Sequence, residues 1–246
     1  EIAAAAREQG LRVGGYYAGR LDFHRHSDPI RTLAEALSAG SNDAALATEV
    51  DAHYRELIDR YQPDILWNDT GVPRDLELSS LFARYRQVVP EGVVNDRWGT
   101  PGRLGNGAAD RSPDRADRAE HGIDSRTGDY ATVAVDPFDP PSSYPAPPFE
   151  AVVPLGRCWS LGEDDDVPSG EQLIERVVDA TSAGGNVLLV LSPDADGAPP
   201  ATQLRSLLDL GAWLRSNGAA VYGTGAWHER GTTTAEGVRL RYTANA

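Results

Sequence analysis

Apolar and polar positions alternate along this chain in a helix-strand order. Residues 1–9 read as the end of a helix stopped by Gly10, and "LRVGGYYAG" as a strand from Leu11 to Ala18. After the loop "LDFHRHSDPIR", residues 43–60 carry Leu46, Val50, Tyr54, Leu57 and Ile58 at helical spacing. The strand "DILWND" (64–69) follows, then an amphipathic helix over 75–89 and a third strand, "GVVND" (92–96). Residues 149–155 form a fourth strand, its end weakened by Pro154. A helix capped by Ser169 and stopped by Gly184 leads to "NVLLVLSP" (186–193), which reads as the most thoroughly buried strand of the chain. A last helix over 200–218 ends at Gly218, and "AVYGTGAW" and "VRLRYTA" then alternate as antiparallel strands do.

Strands that alternate with helices pair in parallel, each joined to the next by a crossover helix. The expected class is therefore α/β. An incomplete (β/α)8 barrel is preferred to an open sheet, because no glycine-rich dinucleotide loop follows any strand. Residues 1–218 are assigned to this partial barrel and 219–246 to the start of a β-rich domain. Residues 100–128 interrupt the pattern with glycine and mixed charge and read as a long loop insertion.

The formal net charge of -14 speaks against nucleic acid or an anionic membrane as partner, since phosphate binding needs clustered cations. No apolar run approaches the roughly 20 residues of a membrane span. The single cysteine, Cys158, excludes an internal disulfide and reads as a small buried hydrophobe. All 23 basic residues are arginine, as in proteins from G+C-rich bacterial genomes. With no methionine at all and a start inside a helical pattern, the chain reads as a fragment, so its compartment, secreted or cytoplasmic, stays open.

Polar clusters close the strands: Asn68 with Asp69, Asn95 with Asp96 and Arg97, and Asp194 with Asp196 after "LSP". A carboxylate at the end of an apolar strand must be solvated, bonded or paired. Asp69 either caps the turn "TGVP" or faces the ligand crevice at the carboxyl ends of parallel strands. Carboxylates beside Tyr16, Tyr17, Trp67 and Trp98 suggest a sugar site, with flat rings for a pyranose and acids for proton transfer and nucleophilic attack. "HRH" (24–26) reads as a solvated loop pair, and "EDDD" (163–166) as an acidic loop too dense for a known calcium loop.

Five separated segments, "GLRVGGYYAG" (10–19), "YQPDILWNDTG" (61–71), "GVVNDRWG" (92–99), "AGGNVLLVLSPDADG" (183–197) and "LGAWLRSNGAAVYGT" (210–224), resemble in order and register the α-L-fucosidases of glycoside hydrolase family 29. The similarity spans nearly the whole chain outside 100–128. It implies a barrel followed by a β-sandwich, a fucosylated oligosaccharide or glycoconjugate as partner, no cofactor and no metal, and retaining hydrolysis with Asp69 as nucleophile. It also implies that Arg97 and Tyr16 lie at the sugar, and Trp67 is taken as a third substrate contact.

The chain departs from the family pattern in three places. A glutamate expected in a "T-x-E" segment is replaced by Ala134, which leaves Asp136 or Glu150 as the candidate acid/base, Glu150 also fitting a structural role. "CWSLG" (158–162) stands where "SWGYN" or "SFGYN" is usual, and the family's fucose-binding histidines match none of the five histidines here. A catalytically impaired protein that binds fucosylated glycans is therefore the alternative reading.

Overall fold

A computed structural model describes residues 1–22, 24–25, 29–31, 35, 44–99, 128–139, 141–157, 159, 162 and 166–245. The chain forms two compact units, Glu1–Tyr130 and Ala131–Ala246.

The first unit holds α1 (Ile2–Glu8), β1 (Gly14–Ala18), α2 (Ala44–Tyr61), β2 (Ile65–Asp69), α3 (Leu78–Val88) and β3 (Val93–Val94). Its sheet runs β1-β2-β3, all parallel, as the helix-strand alternation requires. Leu46, Val50, Tyr54 and Ile58 of α2 and Leu81 and Tyr85 of α3 pack with Leu66 and Val94 in one core. Both helices thus cover the same face of the sheet. Strand alternation then puts Tyr16, Trp67 and Asp69 on the other face.

Strand β1 starts three residues later than expected. Gly10, at φ +74, lets the chain turn back, so the Leu11 N–H bonds the Ala6 carbonyl of α1 instead of a strand neighbour. Strand β3 is also shorter than "GVVND". The Asn95 amide takes over the pairing there: its Oδ1 accepts from the Asn68 N–H at 3.0 Å and its Nδ2 donates to the Asn68 carbonyl at 2.8 Å. Asp129 rejoins β3 from beyond the 100–128 segment: its N–H bonds the Val94 carbonyl, and its carboxylate accepts from the Val94 N–H and from Arg86.

The second unit holds β4 (Ala131–Ala134), β5 (Phe149–Pro154), α4 (Gly170–Ser182), β6 (Asn186–Val190), α5 (Ala201–Asn217), a 3-10 turn at Gly218–Ala220, β7 (Thr224–Thr233) and β8 (Arg239–Asn245). Strands β4-β5-β6 are parallel, and β7 and β8 form an antiparallel hairpin with a bulge between Ala226 and Gly231. Phe149, Ala151 and Val153 pack on Ala180 of α4, and Leu155 packs with Leu173, Val177 and Leu210. Helix α4 opens with a full capping box: Ser169 accepts from the Gln172 N–H, and the Gln172 side chain accepts from the Ser169 N–H.

Three further elements differ from what the sequence predicts. Strand β6 is not the most buried; Leu188 is 37% exposed, because β6 is an outer strand of its three-stranded sheet. Strand β4 was not foreseen, since "ATVA" is short and carries small side chains that are only partly buried. Gly184 stops α4 at φ +86, whereas Gly218 keeps a right-handed conformation and passes the chain into the 3-10 turn.

Candidate active site

The carboxyl end of β2 carries a dense polar construction. Register aligns Tyr16 with Trp67 and Ala18 with Asp69, so the phenol, indole and carboxylate share one face of the sheet. The Tyr16 and Trp67 rings stack at 5.4 Å with 22° between their planes, and the Arg97 guanidinium lies 4.9 Å from the centre of the Trp67 ring. Trp67 is buried, with a phenol and a cation against its ring.

Asp69 is gripped on both oxygens. The Tyr16 hydroxyl donates to Oδ2 at 2.9 Å, while Oδ1 accepts from Arg97 Nη1 at 3.0 Å and from the Thr70 N–H at 2.9 Å. The carboxylate side chain keeps 25% of its surface open, against 11% for Arg97, so the pair is sheltered yet reachable. Burial beside the site, the charge of Asp69 and the hydrogen bond to it push the Tyr16 phenol up from its ordinary value of 10, while Arg97 pulls the other way. Tyr16 thus stays a neutral donor at any physiological pH. Of the two sequence alternatives for Asp69, the turn is seen directly, since its Oδ1 accepts the Thr70 N–H.

That turn is backbone-strained. Thr70 has φ +63 and Gly71 φ +79, a left-handed pair at a cost of about 1–3 kcal/mol for the threonine. Arg20 holds it from below: its guanidinium is buried and its Nε donates to the Thr70 carbonyl at 2.8 Å. Behind Asp69, the fully buried Asn68 bonds Gly19, Gly71, Asn95, Arg97 and Tyr54. The Tyr54 phenol is pushed well above its ordinary value, first by burial and then by Tyr17, Asp69 and Tyr16, so it too stays protonated. Trp98 packs against Tyr54 and Phe82 in the core and does not reach the open face. Tyr17 likewise turns toward α2, its hydroxyl 2.7 Å from His53 Nδ1.

Sequence reading missed the parts played by Arg20, Tyr54 and Gly19. Strand alternation did carry one signal: residue 68 shares the face of Leu66, so a polar side chain there had to enter the core and be fully bonded.

The candidate acid/bases lie in the second unit. Ala134 ends β4, level with Val152. Asp136, two residues beyond, is exposed, and its Oδ1 accepts the Phe138 and Asp139 N–H groups in a side-chain-closed turn. Glu150 is level with Thr132, on the same face as Ala134 and about 7 Å nearer the amino end, at two strand residues of ~3.3 Å each. Asp194 is also occupied, accepting the Asp196 and Ala198 N–H groups around Gly197. His24 lies in an exposed turn, and Asp166 pairs with Arg157 at 2.6 Å. His26, His121, Cys158, Glu163, Asp164, Asp165 and residues 100–127 lie outside the described residues. Among the described residues no three His, Cys, Asp or Glu side chains could hold a metal ion together, and no helix is long and apolar enough to cross a membrane.

Comparison with known proteins gives one consistent answer. The human plasma alpha-L-fucosidase is 27% identical over 95% of this chain and 46% of its own length, and the Dictyostelium discoideum alpha-L-fucosidase 26% identical over 100% and 49%. The crystal structure of the Thermotoga maritima alpha-fucosidase with a mechanism-based inhibitor superposes with a TM-score of 0.81, at 34% identity over 99% of this chain and 51% of that one. The chain thus spans about half the length of the relatives it matches. Residues 1–219 match the family described as Alpha-L-fucosidase, and the chain belongs to that family.

Proposed function

We propose that the protein is a retaining exo-acting α-L-fucosidase that removes terminal α-L-fucosyl residues from glycans, with Asp69 as the nucleophile. The observation that carries this reading is the double grip on Asp69, whose two oxygens are held by Arg97 at 3.0 Å and Tyr16 at 2.9 Å at the carboxyl end of a parallel strand. A carboxylate fixed in this way is paired with the cation and aimed by the phenol. One carboxylate oxygen attacks the anomeric carbon, the glycosidic C–O bond breaks, and the leaving oxygen takes a proton from the acid. Water then attacks the anomeric carbon, giving its proton to the same group, now a base, while the bond from that carbon to Asp69 breaks and frees the carboxylate. The open part of the Tyr16 ring, which stacks on Trp67, offers an apolar surface suited to the ring and methyl group of a deoxy sugar.

Either Asp136 or Glu150 serves as acid/base. Asp136 has the advantage of lying past the carboxyl end of β4, where barrel sites open, and Glu150 that of sharing the face of Ala134. In this reading residues 1–218 belong to a partial (β/α)8 barrel, and the β7–β8 hairpin begins the β-rich domain assigned from residue 219.

The test is hydrolysis of an aryl α-L-fucoside with a good leaving group by the full-length protein, beside Asp69→Asn. Turnover that vanishes in the variant supports the reading; turnover that survives it removes Asp69 from the role. The absence of a carboxylate at Ala134 favours one second reading, a protein that binds fucosylated glycans without turning them over. It predicts fucose binding with no turnover even of activated fucosides. Asp136→Asn and Glu150→Gln separate the two acid/base candidates: the true one loses hydrolysis of poor leaving groups and keeps that of activated ones.

A further inference from the structure

We propose that Asn68 is a positioning residue for the reaction: its buried amide fixes both the Asp69 carboxylate and the Arg97 guanidinium that holds it. The proposal rests on the reading of Asp69 as nucleophile. A primary amide offers two acceptor positions and two donor hydrogens, and all four are used. Oδ1 accepts from the Gly19 N–H at 3.1 Å and from the Tyr54 hydroxyl. Nδ2 donates to the Gly71 carbonyl at 3.2 Å and to the Arg97 carbonyl. With an N–H donor on one side and two carbonyls on the other, only this orientation of the amide is bonded throughout.

The four partners come from four different places: the end of β1, the middle of α2, the strained turn after Asp69, and the segment after β3. The Asn68 backbone is itself pinned at both polar atoms by Asn95, at 3.0 and 2.8 Å. Asp69 therefore leaves a fixed peptide on one side and enters a turn fastened through Gly71 on the other. Arg97 hangs from the same amide by its carbonyl, which sets the reach of its Nη1 to Asp69 Oδ1 at 3.0 Å. No other side chain satisfies these groups: aspartate has no donors, serine is too short to bridge them, and glutamine places its amide one carbon too far. The close approach is built in at Gly19, where a Cβ would sit 2.7 Å from Asn68 Oδ1.

The experiment uses the full-length protein in two backgrounds. In the parent, Asn68→Ser is expected to lower kcat on an activated aryl α-L-fucoside about 100-fold with KM within about twofold, because roughly 1 Å of misplacement is enough to cost that much. Tyr54→Phe, which removes one bond and keeps the ring packed against Tyr17 and Trp98, is expected to lower kcat by about three- to tenfold on the same grounds. In the second background, Asp69→Gly, external azide attacks the anomeric carbon as the phenolate leaves, and no positioned carboxylate is needed. There both substitutions are expected to leave the azide-rescued rate unchanged within about twofold.

An equal loss in both backgrounds would show that the amide only supports the fold and would overturn the proposal. So would parent turnover that survives both substitutions. If Asn68→Ser does not fold, Tyr54→Phe decides in the same two backgrounds. Asp69→Gly that keeps its turnover without azide would overturn the assignment of the nucleophile and the proposal with it, a result distinct from the other two.

Discussion

Under the proposed function, replacing Arg97 with methionine isolates what the ion pair contributes to turnover. The substitution keeps a long apolar stem against Trp67 but removes the Nη1 donor 3.0 Å from Asp69 Oδ1 and the charge 4.9 Å from the indole. A charge-assisted hydrogen bond contributes about 1.5–3 kcal/mol, and a partly open site takes the lower half of that range. Each ~1.4 kcal/mol lost from transition-state stabilisation is tenfold in rate, so kcat/KM should fall about 10- to 50-fold. Stability should change far less. Asp69 retains the Tyr16 hydroxyl and the Thr70 N–H, and a quarter of its side chain already meets solvent. The assay is kcat/KM on an activated aryl α-L-fucoside with the full-length protein, next to a thermal melt. Arg97→Lys, which keeps the charge without the planar fork, should fall between the parent and methionine. A loss of less than about threefold, below what one such bond supplies, or a loss that appears only with unfolding, would refute the argument.

Other outcomes follow from the same structure. Burial, aided by Asp64 and Asp129 and opposed by Arg86, pushes the Tyr85 phenol up from 10 to about 12, so the folded state holds this proton more tightly than the unfolded chain does. Its contribution to stability is full below pH 10 and lost as the pH rises from 10 to about 12; Tyr85→Phe should flatten that part of a denaturant-midpoint profile, and an unchanged slope would contradict it. Gly19→Ala should cost about 1–3 kcal/mol in urea unfolding and lower turnover as well, since its Cβ would meet Asn68 Oδ1 at 2.7 Å and the Tyr54 hydroxyl at 2.9 Å, both held in place. Ser169→Ala breaks the capping box of α4 and should cost about 1 kcal/mol by the same measurement while leaving kcat untouched.

Much of the framework could be read from the chain because it is written in local periodicity. The spacing of Leu46, Val50, Tyr54, Leu57 and Ile58 marks α2 and its inner face; all but Leu57 are buried in the core, and Leu57 packs against it partly buried. Gly10 and Gly184 mark helix ends because each takes a positive φ that other residues resist. Gly218 carries the same signal without the same conformation, since a 3-10 turn continues the chain in the right-handed region. The exposure of β6 could not be read, because an apolar run looks alike in a central and an outer strand and only the order of strands tells them apart.

Of the site, sequence supplied the residue types and tertiary structure their relations. A carboxylate closing an apolar strand, an arginine in "NDRWG" and a tyrosine in "YYAG" were visible as candidates. That Tyr16 and Arg97 hold opposite oxygens of Asp69 depends on the register of β1 against β2 and on the reach of the segment after β3, both long-range. The role of Asn68 was the least visible, since an asparagine beside an aspartate reads as one more polar residue at a strand end. Its partners lie 3 to 49 residues away along the chain, and only the fold brings them to one amide. Sequence alone thus determined the periodic elements and the chemistry available, because both are properties of short segments. Tertiary structure decided which polar groups meet, because hydrogen bonds are satisfied in space and not in order along the chain.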